Sequence, residues 1–219
     1  MRYYPVYLDI QHKKCLVVGG GSVGTRKVNT LVECGALVTV VSPEISEALA
    51  SLADHRAIDI QKRGYQSTDL NGVFLVIGAT SDERLNQQIS NDAERLNILC
   101  NIADRPAACN FILPAIVHRG DLVIAISTSG NSPAFAKKLR KDIEKQYGAE
   151  YAAFLQLMGA IRQRLLQADH APEAHKPIFN KIIQSKIIDR IREGDEDAID
   201  TILFETLGAG YSFQALMKR

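Results

Sequence analysis

The stretch Gly19-Gly20-Gly21-Ser22-Val23-Gly24 satisfies G-x-G-x-x-G through Gly19, Gly21 and Gly24. The chemistry open to such a stretch is the holding of a pyrophosphate. It closes the apolar run KCLVV and opens a segment with helical spacing, the context in which the three glycines take separate duties. Gly19 permits a sharp turn, Gly21 admits phosphate to the backbone, and Gly24 lets the helix pack closely on the strand. A helix starting at Ser22, with Val23 in its first turn, offers unpaired N–H groups and a positive dipole end to the phosphates. Without a ligand the same residues are only a glycine-rich turn.

Dinucleotide sites commonly carry Asp or Glu at the end of the second strand, bound to the adenosine ribose. Here Ser42 stands at that place, followed by Pro43 and Glu44. Ser42 or the adjacent backbone can bond a hydroxyl, and no arginine stands there to hold a 2′-phosphate, which favours NAD over NADP. Two more segments should reach the same edge: Ala79-Thr80-Ser81 after VFLVIG, and Asp104-Arg105-Pro106 after NILCNIA. Thr80 is expected to line the cofactor cleft. Asp104, the only carboxylate in its segment, suits a proton acceptor beside the nicotinamide and equally a turn-capping aspartate.

A second polar loop, Ser127-Thr128-Ser129-Gly130-Asn131-Ser132-Pro133, enters a segment bearing Lys137, Lys138, Arg140, Lys141 and Lys145 against Asp142 and Glu144. That is a local charge of +3, five cations less two anions. Two readings stand: a solvated helix face, or a wall for a polycarboxylate built from Lys137, Lys138 and the hydroxyls of Thr128 and Ser129. The five histidines are dispersed; His170 and His175 flank a proline-containing connection, and no fixed metal site follows from them. The four cysteines lack metal-ligand spacing, and Cys15 and Cys100 fall in apolar runs that suit buried thiols.

The elements that must position these residues read as an alternation. Residues 4–9 are predicted as a strand, KCLVVGGG (14–21) as a buried strand feeding a tight turn at its glycines, and 22–35 as a helix with Val28, Leu31 and Val32 on one face. Strands over 36–41, 73–79 and 97–103 alternate with helices over 45–54 and 82–95. This cadence predicts an α/β fold with a parallel, doubly wound Rossmann-type sheet. It breaks near residue 105, where FILPAIVHRGDLVIAIST reads as a hairpin turning at 118–121. Ser132-Pro133 then marks a helix start, and amphipathic helices follow to about 148, through 154–165, and around 177–192 and 195–207.

Formal charge is +1 across 219 residues, giving no global reason to expect nucleic acid or an anionic membrane as partner. No secretory signal pattern and no membrane-length apolar run is present, so a reduced, cytoplasmic protein is expected.

Taken together, YYPVYLDIQHKKCLVVGGGSVGTRKV, VTVVSPE, IGATSDERLN and NIADRPAACNFILPAIVHRGDLVIAISTSGNSPAFAKKLR resemble the precorrin-2 dehydrogenase/sirohydrochlorin ferrochelatase family. That family also forms the N-terminal module of siroheme synthases. The resemblance is strong over about 1–150 and weaker in the helical tail. It implies an NAD-binding Rossmann domain over 1–112, a dimerisation segment over 113–148 with intertwined subunits, and a helical domain over 149–219. It places Ser22, Val23, Pro43 and Glu44 at NAD and gives Asp104 a part in dehydrogenation and, where present, in chelation. Thr128 falls where some relatives carry a serine near the tetrapyrrole. The expected activity is NAD-dependent oxidation of precorrin-2 by a homodimer, with ferrous iron insertion left open. A nucleotide-sensing module without catalysis is the alternative. At this length no methyltransferase-sized region is expected.

Overall fold

The structure, a computed structural model of the chain, describes residues 2–167 and 175–218. It divides into two compact units, Met1–Leu113 and Pro114–Arg219.

In the first unit, strands β1 (Lys14–Gly20), β2 (Leu37–Ile45), β3 (Ile58–Gln61), β4 (Leu75–Gly78) and β5 (Leu99–Ile102) form one sheet in the order β3-β2-β1-β4-β5. All four pairings are parallel. Helices α1 (Ser22–Glu33), α2 (Glu47–Asp54) and α3 (Glu83–Arg95) complete the crossovers. The doubly wound Rossmann-type expectation is met.

Alternation along β1 explains why both faces are covered. Cys15 and Val17 join Val28 and Leu31 of α1 and Leu49 of α2 in one core, while Leu16 and Val18 join Ile89 and Ala93 of α3 in the other. A parallel strand buried on both sides must be apolar at successive positions, which is why KCLVVGG shows no polar face. Each fully buried aliphatic side chain contributes about 1.5–3 kcal/mol, so these two cores hold the sheet edge in place. The buried thiols follow suit: burial raises Cys15 to about 11 and Cys100 to about 12.

Two differences from the sequence reading concern pairing. Residues 4–9 form no strand, and Tyr4, Val6, Tyr7 and Leu8 are exposed. Their apolar, aromatic run joins no sheet, and pairing rather than propensity makes a strand. Conversely, β3 is only four residues long, its Ile58 and Ile60 alternating with exposed Asp59 and Gln61 at the sheet's edge, and was not anticipated.

The second unit opens with the hairpin β6 (Ala115–Arg119) and β7 (Leu122–Ile126), followed by α4 (Pro133–Gln146), α5 (Glu150–Gln167), α6 (His175–Gln184), α7 (Ile187–Glu193), α8 (Glu196–Leu207) and α9 (Phe213–Met217). Ser132 caps α4 by accepting from the Phe135 N–H at 3.2 Å, with Pro133 at the first helical position. The helix expected over 177–192 is two helices. The Ser185 hydroxyl donates to the Ile182 carbonyl at 2.7 Å and accepts from the Ile187 N–H at 3.3 Å, replacing the helical ladder there. The short α9, capped by Ser212, was not anticipated.

His175 is buried, whereas His170 lies outside the described residues. Among the described residues no helix is long and apolar enough to cross a membrane. Nor do three His, Cys, Asp or Glu side chains gather there as a metal site.

Candidate functional site

The carboxyl ends of the parallel strands meet at one edge of the first unit, around a cavity of about 870 Å³. This is the expected ligand position of an open α/β sheet, at the point where strand order reverses between β1 and β4. Gly19, Gly20, Gly21, Ser22 and Val23 line it after β1, with Ser42, Pro43 and Glu44 at the end of β2. Gly64 and Tyr65 follow β3, Thr80 follows β4, and Asp104 follows β5.

The glycines divide by what excludes a side chain. A Cβ at Gly19 would lie 2.4 Å from the Ala79 carbonyl oxygen, and φ there is +118°. One at Gly20 would lie 2.1 Å from the Glu44 carbonyl oxygen, and one at Gly24 2.1 Å from that of Gly19. Packing of the protein itself therefore requires all three. Gly24 performs its duty by packing and does not line the cavity. Gly20, which the motif leaves unspecified, proves as constrained as its neighbours.

Gly21 is different. A Cβ there would meet nothing within 4 Å, and its φ of −80° suits any residue. It is the N-cap of α1, where Ser, Thr, Asp or Asn would stabilise the helix, yet no side chain caps it and no acid stands in the first turn. The first N–H groups of α1 thus face the cavity edge with no capping side chain, a cradle that fits a pyrophosphate.

Neighbouring loops are locked onto this turn. The Ser46 N–H donates to the Gly20 carbonyl at 3.0 Å, and the Ser46 and Thr25 hydroxyls are 2.9 Å apart. Ser42 is buried at the cavity wall, whereas Pro43 and Glu44 are exposed. The Thr80 hydroxyl lies 3.0 Å from Asn86 Oδ1 and 3.1 Å from the Asp82 carbonyl. Asn86 Nδ2 returns a bond to the Thr80 carbonyl at 2.9 Å. Thr80 therefore commits its proton to shaping the loop and keeps only lone pairs for a ligand.

Asp104 stands exposed with φ +61°. Its turn is tied back to β5 through Cys109, whose sulfur accepts from the Ile102 N–H at 3.1 Å and lies 3.2 Å from the Arg105 carbonyl. Burial raises the Cys109 pKa, which keeps the thiol able to donate. Lys27 is half-buried nearby; burial and the charge of Arg26 lower its pKa, and the charge of Asp104 acts in the opposite direction. Arg105 pairs with Glu83.

At the opposite end, Tyr65 donates to Asp92 Oδ2 at 3.1 Å, and Ser67 donates to the same oxygen at 2.7 Å. Burial pushes the Asp92 carboxyl up, but bonds from Ser67, Arg95 and Tyr65 outweigh it and hold the pKa below the ordinary range. Asp69 is lowered too, chiefly by its bond from Arg63. A carboxylate depressed in the fold contributes stability above its unfolded pKa and loses it as pH falls through the folded value. Amide exchange in α3 and β5 should therefore accelerate as pH, corrected for intrinsic exchange, drops below about 4. Asp92→Asn should flatten that dependence. An unchanged profile in the variant would remove Asp92 from the acid response.

The residues expected to bind a cofactor thus surround one cavity, with Gly24 packed behind it, and Asp104 shares that cavity. Thr128, Ser129, Lys137 and Lys138 belong to the second unit and are not among its lining residues. There Thr128 Oγ1 accepts from the Ser132 N–H at 3.1 Å, and the Ser129 N–H donates to Ser127 Oγ at 3.0 Å. Lys137 and Lys138 are exposed on α4. Gly64 and Tyr65 escaped the sequence reading because the strand that delivers them did. Cys109 read as one more scattered thiol.

Residues 6–115 match the family model described as putative NAD(P)-binding, and residues 119–146 match that of the sirohaem biosynthesis protein central region. The siroheme synthase of Nitrosococcus oceani is 36% identical over 211 residues, which cover 96% of this chain and 45% of that protein. The siroheme synthase of Ectopseudomonas mendocina is 37% identical over 216 residues, 99% of this chain and 46% of its own. The chain therefore spans about half the length of the curated relatives it matches. Among solved structures, SirC, precorrin-2 dehydrogenase, superposes with a TM-score of 0.75 at 27% identity, covering 91% of this chain and 100% of that one. The family resemblance drawn from the sequence is borne out.

Proposed function

The chain belongs to the putative NAD(P)-binding family, and we propose that it oxidises precorrin-2 to sirohydrochlorin with NAD as hydride acceptor. The observation that carries the dinucleotide half of this reading is Gly21, an uncapped helix N-terminus whose missing side chain the protein's own packing does not require. The substrate half is supported by the likeness to SirC over that protein's whole length and by the siroheme central segment at 119–146.

The dehydrogenation removes a hydride and a proton from the tetrapyrrole. Bound NAD supplies the hydride acceptor. Ser22, Val23 and Gly21 hold the pyrophosphate through backbone N–H groups, and Ser42, Pro43 and Glu44 meet the adenosine ribose. Thr80 shapes the cleft wall between the two ends. Asp104 Oδ would accept the proton at the β5 end of the cavity, across from Ser42, Pro43 and Glu44 at the β2 end. Thr128, Ser129, Lys137 and Lys138 are our candidates for binding the substrate carboxylates. The same Asp104 carboxylate suits ferrous iron insertion, with ferrous iron as a substrate.

Anaerobic incubation with precorrin-2 and NAD, followed optically, tests the reading. Sirohydrochlorin should form only with NAD present, and a parallel incubation with ferrous iron reports chelation. Tight NAD binding without turnover would instead favour a nucleotide-sensing module.

We assign the segment 113–148 to a homodimer contact, within a cytoplasmic enzyme. The hairpin register decides which side chains suit that role. Ile124 pairs with fully buried Val117 and so shares the inward face of the hairpin. Ile116, 41% exposed, pairs with exposed Ala125 on the other face. Ile116→Lys should dissociate the dimer in sedimentation at micromolar concentration while helix content stays unchanged. A parent protein that sediments as a folded monomer would refute the assignment.

A further inference from the structure

Next to the cavity residues beyond β3 stands a cation that the fold engages elsewhere. Arg63 immediately precedes Gly64 and Tyr65, both cavity-lining residues. Because β3 lies beside β2, these residues neighbour the end of the sheet where Ser42 and Glu44 stand, the adenosine ribose end of a dinucleotide site. An arginine in this region is the usual device for binding the 2′-phosphate that distinguishes NADP from NAD.

Arg63 is engaged elsewhere. Its Nη2 donates to Asp69 Oδ1 at 2.6 Å and its Nη1 to Asp69 Oδ2 at 2.9 Å, a two-pronged pair. Nη1 also donates to the Gly64 carbonyl at 2.9 Å, and Nη2 donates to Gln61 Oε1. The Asp69 side chain is only 9% exposed and is fixed from a second side by the Gln66 N–H at 2.9 Å. Both prongs of the guanidinium are therefore occupied by a carboxylate that does not move freely. Glu44, exposed at the cavity, adds a negative charge on the β2 side.

We infer that Asp69, by sequestering Arg63, is a specificity-determining residue that makes this site select NAD over NADP. The inference rests on the dinucleotide reading of the cavity but not on the tetrapyrrole one. Asp69 occupies the guanidinium and Glu44 places an anion at the cavity, so a 2′-phosphate meets Glu44 without the help of Arg63. The free 2′-hydroxyl of NAD asks for nothing more than an acceptor.

The test is calorimetric titration of the full chain with NAD and with NADP. The parent should bind NAD at least tenfold more tightly than NADP. Asp69→Asn retains an oxygen for the Gln66 N–H but releases the guanidinium, and should improve NADP binding relative to NAD by about tenfold, the scale of one charge-assisted contact. Adding Arg63→Gln to that variant should abolish the gain. Should Asp69→Asn not fold, Asp69→Ser releases the guanidinium in the same way and carries the same expectation. Arg63→Gln in the parent should leave the NAD-to-NADP ratio unchanged, since a sequestered arginine contributes nothing to either cofactor. A selective loss of NADP binding in that variant would overturn the inference, as would a folded Asp69→Asn protein with the parent's preference. Failure of the parent to bind either dinucleotide would overturn the proposed function itself, a separate result.

Discussion

Asp104→Asn is expected to slow precorrin-2 oxidation by about 100- to 10,000-fold, the usual cost of losing a general base. NAD affinity and melting temperature should stay close to the parent's. Asparagine is the informative replacement because of the backbone. Asp104 has φ +61°, a left-handed conformation that Asp and Asn tolerate and that costs other side chains about 1–2 kcal/mol. Alanine would therefore mix a backbone penalty with the chemical loss. Asn keeps the shape, the φ and a turn-capping oxygen, but it cannot take a proton.

The same comparison separates the two roles that the sequence left open for this residue. If Asp104 only caps its turn, Asn should cap nearly as well and the rate should barely change. The turn already has other ties: the Arg105 N–H reaches the Ile102 carbonyl at 3.3 Å, and Cys109 holds both ends. With those bonds in place, the carboxylate is not needed for local order, and its position on the cavity is what calls for a function. Iron insertion into supplied sirohydrochlorin should fall in parallel if one carboxylate serves both reactions. Near-parent oxidation by folded Asp104→Asn protein would remove Asp104 from the mechanism.

What was legible in the sequence follows from how strongly each residue's neighbours are local. The β1–glycine loop–α1 unit is encoded within about twenty residues by an apolar run and glycines, and the structure reproduces it. Ser132-Pro133 is a signal of the same kind, a cap and a first helical residue side by side. By contrast β3 depends on β2 for its existence, and the alternation of its four residues, IDIQ, is too short to mark a strand by itself. With it were lost Gly64 and Tyr65, which line the cavity, and the Arg63–Asp69 pair beside them. The opposite error, a strand over 4–9, has the same origin: an apolar, aromatic run that joins no sheet. Gly20 was passed over because the motif assigns it no duty, while in three dimensions the Glu44 carbonyl closes over it.

Gly21→Asp should weaken NAD binding by about 100-fold or more, since placing like charges together costs several kcal/mol. The structure makes the accompanying stability change as telling as the affinity. The new Cβ meets nothing within 4 Å, and the position's φ of −80° and ψ of −172° suit an aspartate. Gly21 is also the uncapped N-cap of α1, a place where Asp is among the most favourable residues and gains a few tenths of a kcal/mol over glycine. The variant should therefore melt no lower than the parent, and slightly higher at low salt, where the carboxylate also meets the helix dipole. Binding falls for the same reason that stability holds, because the carboxylate takes the N–H groups the pyrophosphate needs. Gly21→Ala lacks the charge and should lose far less affinity. Substitution at Gly24 would behave otherwise, driving a Cβ into the Gly19 carbonyl and lowering stability and binding together. Titration and thermal melts of the three variants distinguish these cases. Undiminished NAD affinity in folded Gly21→Asp protein would mean that the dinucleotide does not sit on this helix end.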